Sequence, residues 1–171
     1  MWRPALRVAF VVSGLGLAAP LAVLASPSLV PLAGYAPGTI VVRQHERGLY
    51  LTLGGGAALR YPVAVGKQGK AWRGVARISG KYVNPAWSPP AEVKRDKPWI
   101  PDLIPGGAPN NPMGSHALTL SGGEYAIHGT TRAMRASIGT AASYGCIRMY
   151  NEDIADLFAR VAVGTPVAVV P

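Results

Sequence analysis

Thr39-Ile40-Val41-Val42-Arg43, Leu49-Tyr50-Leu51-Thr52-Leu53 and Leu59-Arg60-Tyr61-Pro62-Val63-Ala64-Val65 follow one another closely, with Gly54-Gly55-Gly56 between the second and third. β-branched and aromatic residues dominate these runs, and a glycine turn punctuates them. Short strands at such spacing predict an antiparallel sheet, closed into a sandwich or barrel. Pro62 lacks an amide for the ladder and hints at an edge or a bulge. Further out, Val75 to Ser79 reads as another strand, and Ala117 to Leu120 and Tyr125 to His128 as two more around Ser121-Gly122-Gly123. Val167 to Val170 closes the series. The fold class expected is mainly β, with few short helices.

One helix is expected after Asn151. Asn151 is suited to cap free amides, Glu152 and Asp153 occupy the first turn, and Ile154, Leu157, Phe158 and Val161 recur at helical spacing. Gly164-Thr165-Pro166 ends it. Between Asn84 and Gly114 stand eight of the chain's 16 prolines, and no regular element is expected among them. A loop of this length in a compact domain is usually functional, and Trp87, Trp99, Ile100 and Leu103 predict that it packs.

Composition narrows the class further. The 171 residues suit one domain, 49% apolar content excludes a disordered chain, and 15% charged content excludes a coiled coil. A single cysteine excludes an internal disulfide framework and any multi-cysteine metal site. Arg3 and Arg7, the uncharged run Val8 to Ala25 and small residues near Ser26 read as a secretory signal cut after Ala25, or as an uncleaved anchor. A linker over 26–38 and one domain over 39–171 would follow. Processing leaves 15 basic against 8 acidic residues, a formal +7. The cations are scattered, with no basic helix and no nucleic-acid motif among them. An exported basic chain suits an anionic polymer such as cell wall, a membrane surface or nucleic acid, and charge alone does not choose among these partners.

The chemistry concentrates in Ile127-His128-Gly129-Thr130 and Ser143-Tyr144-Gly145-Cys146-Ile147-Arg148-Met149. A histidine within reach turns a cysteine thiol into a nucleophile and can later protonate a leaving amine. Gly145 permits an unusual backbone angle, so that nearby amides can face a carbonyl oxygen. Arg148 shares a strand face with Cys146 if the strand continues, and suits a substrate carboxylate. On residue chemistry alone, an inert buried thiol and a core histidine fit these positions equally well.

A histidine, a gap over residues 129–142, then Ser143-Tyr144-Gly145-Cys146-Ile147-Arg148 resembles the signature of the YkuD-type L,D-transpeptidases. The resemblance extends over the opening strands, Asn84-Pro85-Ala86-Trp87, Ile104-Pro105-Gly106-Gly107, Asn110-Asn111-Pro112-Met113-Gly114 and Val163 to Val167, and is nearest to exported ErfK/YbiS-type enzymes of Gram-negative bacteria. It implies the antiparallel β-sandwich or barrel-like fold of that family. It also implies Cys146 as nucleophile, His128 as base, and the carbonyl of Gly129 orienting the imidazole. Tyr144 and Gly145 would shape the oxyanion site, and Ser143 and Arg148 would hold substrate. The implied reaction releases D-Ala from a peptidoglycan stem tetrapeptide in the periplasm, without metal or other cofactor, and passes the acyl group to a neighbouring stem, a lipoprotein lysine, a D-amino acid or water. Tyr144, where many members carry histidine, and Thr131, where asparagine is frequent, are departures. A hydrolase on the same site and a non-catalytic wall-binding homologue are the alternatives. His45 and His116, in unrelated segments, are expected at the surface.

Overall fold

The computed structural model describes residues 27–171; the signal or anchor expected over residues 1–25 lies outside them. The opening runs form β2 (Ile40–Arg43), β3 (Gly48–Gly54) and β4 (Ala57–Pro62), paired antiparallel in sequence order. The register sets Ile40 opposite Leu51 and Leu49 opposite Tyr61, so alternate residues gather on the main core face. Val41, Tyr50 and Ala58 face the other way and are buried too, beneath Val30, Leu32 and Tyr35. Burial of both faces explains why Ile40-Val41-Val42 shows no polar alternation.

That second cover comes from the stretch expected as a linker. Ser28–Pro31 is a strand, β1, antiparallel to β4 at the sheet edge. The third run is also shorter than expected. β4 stops at Pro62, which has no amide to continue the ladder, and the chain then crosses to another part of the molecule. There Val65–Gly66 forms β5.

β6 (Gly74–Val83) outruns its expected extent and bends the sheet. Its first half pairs with the last strand and its second half with β7 (His116–Leu120), with a register shift between Ile78 and Gly80. A bulge of this kind turns a strand and strengthens its twist. The nine-stranded sheet thereby wraps the main core, which includes Leu49, Tyr61, Ile78, Leu118, Ile127 and Ile147.

The loop from Asn84 to Gly114 contains one regular element after all. α1 (Ala91–Asp96) begins directly after Pro89-Pro90 and ends before Pro98, so the prolines flank the helix without entering it. Trp87 and Ile104 exchange two backbone hydrogen bonds of 2.9 and 2.8 Å at the loop's base. The buried Asn111 amide donates to the carbonyls of Pro85 and Pro105. The packing expected of this loop is therefore real at Trp87, while Trp99 and Leu103 stay exposed.

The expected helix is α2 (Asn151–Arg160), which buries Ile154 and Leu157. Its capping position is Tyr150, not Asn151, and no side chain caps it. The Asn151 amide is engaged elsewhere, as shown below. The chain closes with β11 (Pro166–Val170), parallel to β2 and antiparallel to β6. Among the described residues no helix is long and apolar enough to cross a membrane.

Candidate active site

Two short strands set the site. β8 (Ala126–His128) and β10 (Ile147–Arg148) run parallel, with Ile127 beside Ile147 and His128 beside Arg148. Because side chains alternate along a strand, the two isoleucines enter the core while His128 and Arg148 share the opposite face. Cys146, one residue ahead of β10, has the parity of that same face. All three line one cavity of about 750 Å³. The edge of β10 is fixed by Ala64, which exchanges backbone hydrogen bonds of 2.8 and 2.9 Å with Arg148. This contact joins the chain leaving β4 to the far end of the sheet and gives the fold its barrel-like closure. β5 pairs nearby with β9 (Ala141–Ser143).

His128 is buried, and its Nδ1 lies 2.8 Å from the carbonyl oxygen of Gly129. A carbonyl only accepts, so Nδ1 carries the proton and Nε2 keeps its lone pair. Burial, reinforced by the charge of Arg148, pushes the imidazole down to about 4, against the opposing pull of the Gly129 and Pro112 carbonyls. Burial pushes the Cys146 thiol up, partly offset by the Ala126 backbone and Arg148. Near neutral pH the pair is thus a thiol and a neutral imidazole, not a preformed ion pair. The sulfur's hydrogen-bond contact is the carbonyl of Glu124 at 4.0 Å, and none joins it to the imidazole.

Gly145 has φ +118°, open to glycine but strained for other residues. Its amide donates to Ser143 Oγ at 3.1 Å, and the same hydroxyl donates to the carbonyl of Cys146 at 2.6 Å. Ser143 therefore staples the turn before the cysteine; its proton is committed there, not free for a ligand. Among the described residues no acceptor faces the amide of Cys146. The Tyr144 hydroxyl donates to Asp96 on α1 at 2.9 Å, with Lys67 Nζ 3.9 Å from the ring centroid. Its side chain therefore reaches the long loop while also lining the cavity.

Arg148 is 8% exposed. Its Nη1 donates to Ser137 Oγ at 2.7 Å, its Nε has no partner, and no carboxylate pairs with it among the described residues. An unpaired buried guanidinium costs several kcal/mol unless a ligand supplies the anion. Two residues beside the site carry roles that the sequence did not reveal. Asn151 Oδ1 accepts from the amide of Thr130 at 2.9 Å and of Ser115 at 3.2 Å, while its Nδ2 donates to the Thr130 carbonyl at 3.0 Å. Trp72 donates from Nε1 to the carbonyl of Gly145 at 3.1 Å and stacks on Tyr125. Thr131 Oγ1 accepts from the amide of Met134 at 3.2 Å. His45 is exposed as expected, whereas His116 is half-buried against Phe158. Among the described residues no group of three metal-ligating side chains occurs.

A β-sheet wrapped around its main core beneath a long loop is a fold shared with known proteins. The family model of the YkuD L,D-transpeptidase catalytic domain matches residues 37–169, and the chain belongs to that family. It is 35% identical over 139 residues to the probable L,D-transpeptidase YbiS of Escherichia coli, covering 76% of this chain and 43% of that protein. It is 36% identical over 140 residues to the probable L,D-transpeptidase ErfK/SrfK of Salmonella typhimurium, covering 77% and 43%. The matches thus span less than half of those relatives. The fold is shared with an L,D-transpeptidase from Mycobacterium smegmatis at 19% identity, with a TM-score of 0.61 and coverage of 78% of this chain and 58% of that one. It is shared too with the catalytic domain of an L,D-transpeptidase of E. faecium, solved by NMR with ertapenem attached, at 19% identity, TM-score 0.58 and coverage of 80% and 100%.

Proposed function

We propose that this chain is a cysteine-dependent L,D-transpeptidase acting on peptidoglycan stem peptides outside the cytoplasm. The observation that carries the reading is the common face of β8 and β10. It brings Cys146, His128 and Arg148 into one cavity and holds the imidazole with Nε2 unprotonated. Family membership supplies the substrate class.

The sulfur attacks the carbonyl at the L-centre of the diamino acid of a tetrapeptide stem. Its proton passes to His128 Nε2 as the S–C bond forms, because the thiol is neutral beforehand. The amide of Cys146 receives the developing oxyanion. The C–N bond to terminal D-Ala then breaks, and the imidazolium returns the proton to the leaving amine. Arg148 anchors a carboxylate of the stem, which supplies the anion its buried guanidinium lacks. An amine next attacks the thioester, giving a 3-3 cross-link, a lipoprotein linkage or D-amino acid exchange according to its source. Ser143 acts through the turn it staples, and Gly129 through the imidazole it orients.

Incubating the full chain with defined disaccharide-tetrapeptides and reading products by mass tests this. Release of D-Ala is expected, together with a cross-linked or exchanged product, and Cys146→Ala is expected to reduce release by about 10⁴-fold or more. Undiminished release by Cys146→Ala, or none by the unaltered chain, overturns the reading. A tripeptide as sole product with amine acceptors present assigns hydrolysis instead.

A further inference from the structure

We propose that Trp72 is a positioning residue, whose indole N–H aims the amide of Cys146 at the oxyanion; this rests on the acyl-transfer reading above. The Gly145–Cys146 peptide is trans, so its carbonyl and its N–H point in opposite directions. The carbonyl accepts from Trp72 Nε1 at 3.1 Å. Trp72 does not line the cavity, whereas Ser143, Tyr144 and Cys146 do. Holding the carbonyl towards Trp72 therefore turns the amide of Cys146 away from Trp72, towards the side where the thiol and imidazole meet substrate.

Such a peptide needs holding. Glycine at φ +118° meets little steric resistance to rotation, so backbone preference alone does not fix the plane. Two aromatic rings do. Tyr125 stacks on Trp72 at 5.0 Å between centroids and 8° between planes. A Cβ built on Gly145 would lie 2.4 Å from that tyrosine ring, so Tyr125, which itself lines the cavity, packs directly against the turn. Trp72 itself belongs to no strand or helix, yet it packs against the core. Its carbonyl accepts from the buried Gln44 Nε2 at 2.7 Å. A brace thus runs from the end of β2 through Trp72 to the peptide preceding the nucleophile, its second bond spanning 73 residues of sequence.

Loss of a direct oxyanion donor costs about 10²–10³ in rate in well-studied enzymes, so an indirect loss is expected to cost about tenfold or more. The test compares two reactions of Cys146 in the full chain. Acylation by ertapenem, followed by intact mass, passes through an oxyanion; alkylation by iodoacetamide, at a saturated carbon, does not. Trp72→Phe keeps an aromatic ring against Tyr125 and removes the N–H. It is expected to slow acylation about tenfold or more while alkylation stays within about twofold. Gln44→Met, which loosens Trp72 from outside the cavity, is expected to lower the acylation-to-alkylation ratio in the same direction by less, and serves should Trp72→Phe fail to fold. An unchanged ratio in the folded variants overturns the proposal, as does parallel loss of both reactions. A wild-type chain that is alkylated but takes no acyl group refutes the acyl-transfer reading itself.

Discussion

The two walls of the cavity are held by different forces. The sheet wall, β8 and β10, is fixed by buried backbone bonds, among them Met149 N–H to His128 O at 2.8 Å and the Ala64–Arg148 exchange. Behind it stand Asn151 and Trp72, each bonded to main-chain atoms. The loop wall is tied to its neighbours by side-chain charges: Lys70 to Glu92, Lys67 to Asp96 at 4.0 Å, and Tyr144 to Asp96. Each of these groups is at least partly exposed. Buried dipoles are hardly screened by salt, whereas exposed pairs are, and each such pair contributes only about 0.2–1 kcal/mol. The groups proposed to perform the chemistry thus sit on the stiff wall, and the wall proposed to meet the rest of the substrate is adjustable.

The largest expected break in this contrast is Asn151→Ala. The asparagine clips Thr130 and Ser115 together, and the carbonyl that holds His128 belongs to the residue before Thr130. Gly114 and Gly129 leave the space for it: a Cβ on either would lie 2.3 or 2.2 Å from Asn151 Oδ1. Removing the clip leaves buried amides unpaired, with an expected stability loss of about 2–3 kcal/mol. Letting the imidazole drift is expected to lower kcat/KM for stem acylation by about 10–100-fold. Urea unfolding and acylation rates check the two halves. A rate within twofold of the unaltered chain would detach Asn151 from the stiff wall.

A second test uses two buried titrating groups with opposite signs. Asp153, in the first turn of α2 and 1% exposed, is pushed up to about 7 by burial and then by Glu152 and Asp156. Its folded value lies above its unfolded one, so its share of stability is present below about pH 4 and is lost as pH rises through 7. His128 is displaced the other way, to about 4, so its share is present above pH 6.5 and lost as pH falls through 4. Between pH 4 and 6.5 the two trends oppose and flatten the stability profile. Asp153→Asn is expected to unmask the histidine. Its stability should rise with pH across that window, and above pH 7 it should exceed the unaltered chain by on the order of 2 kcal/mol. Urea midpoints at several pH values check this, and parallel profiles would count against buried titration at these two sites.

The contrast between the walls also separates what could be read in the sequence from what could not. β2, β3, β7, β8 and β11 were legible because apolar and β-branched runs bounded by glycine encode strands locally. That Cys146, His128 and Arg148 would meet in one place was legible, because strand parity and a compact motif carry them. β1, β5 and β9, two to four residues long, were not. Their pairing is decided by chain crossings, not by their own side chains. α1 was hidden because prolines announce a break whether they enter a helix or stand just before it. Asn151 was read as a cap, since its neighbours fit a helix start, yet a tertiary demand from Ser115 and Thr130 outbids the local one. Trp72 had no local signal at all, because its partner lies 73 residues away.

The smallest expected effect lies on the adjustable wall. Tyr144→Phe removes the hydroxyl that donates to Asp96 but keeps the ring beneath Lys67. One exposed hydrogen bond to a carboxylate is worth under about 1 kcal/mol, so α1 should loosen without unfolding the sheet. Since α1 contributes Glu92 and Val93 to the cavity but no part of the Cys146–His128 pair, KM for stem peptide is expected to rise about two- to threefold with kcat unchanged. Salt sharpens the comparison. Going from about 0.01 M to about 1 M shrinks the screening length from roughly 30 Å to 3 Å. This weakens the Lys67–Asp96 and Lys70–Glu92 pairs in both proteins alike, so both KM values should climb with salt while the gap between them persists. Steady-state kinetics of both proteins across that range decide the matter: if kcat falls together with the rise in KM, the loop wall takes part in the chemistry and the division between stiff and adjustable walls fails.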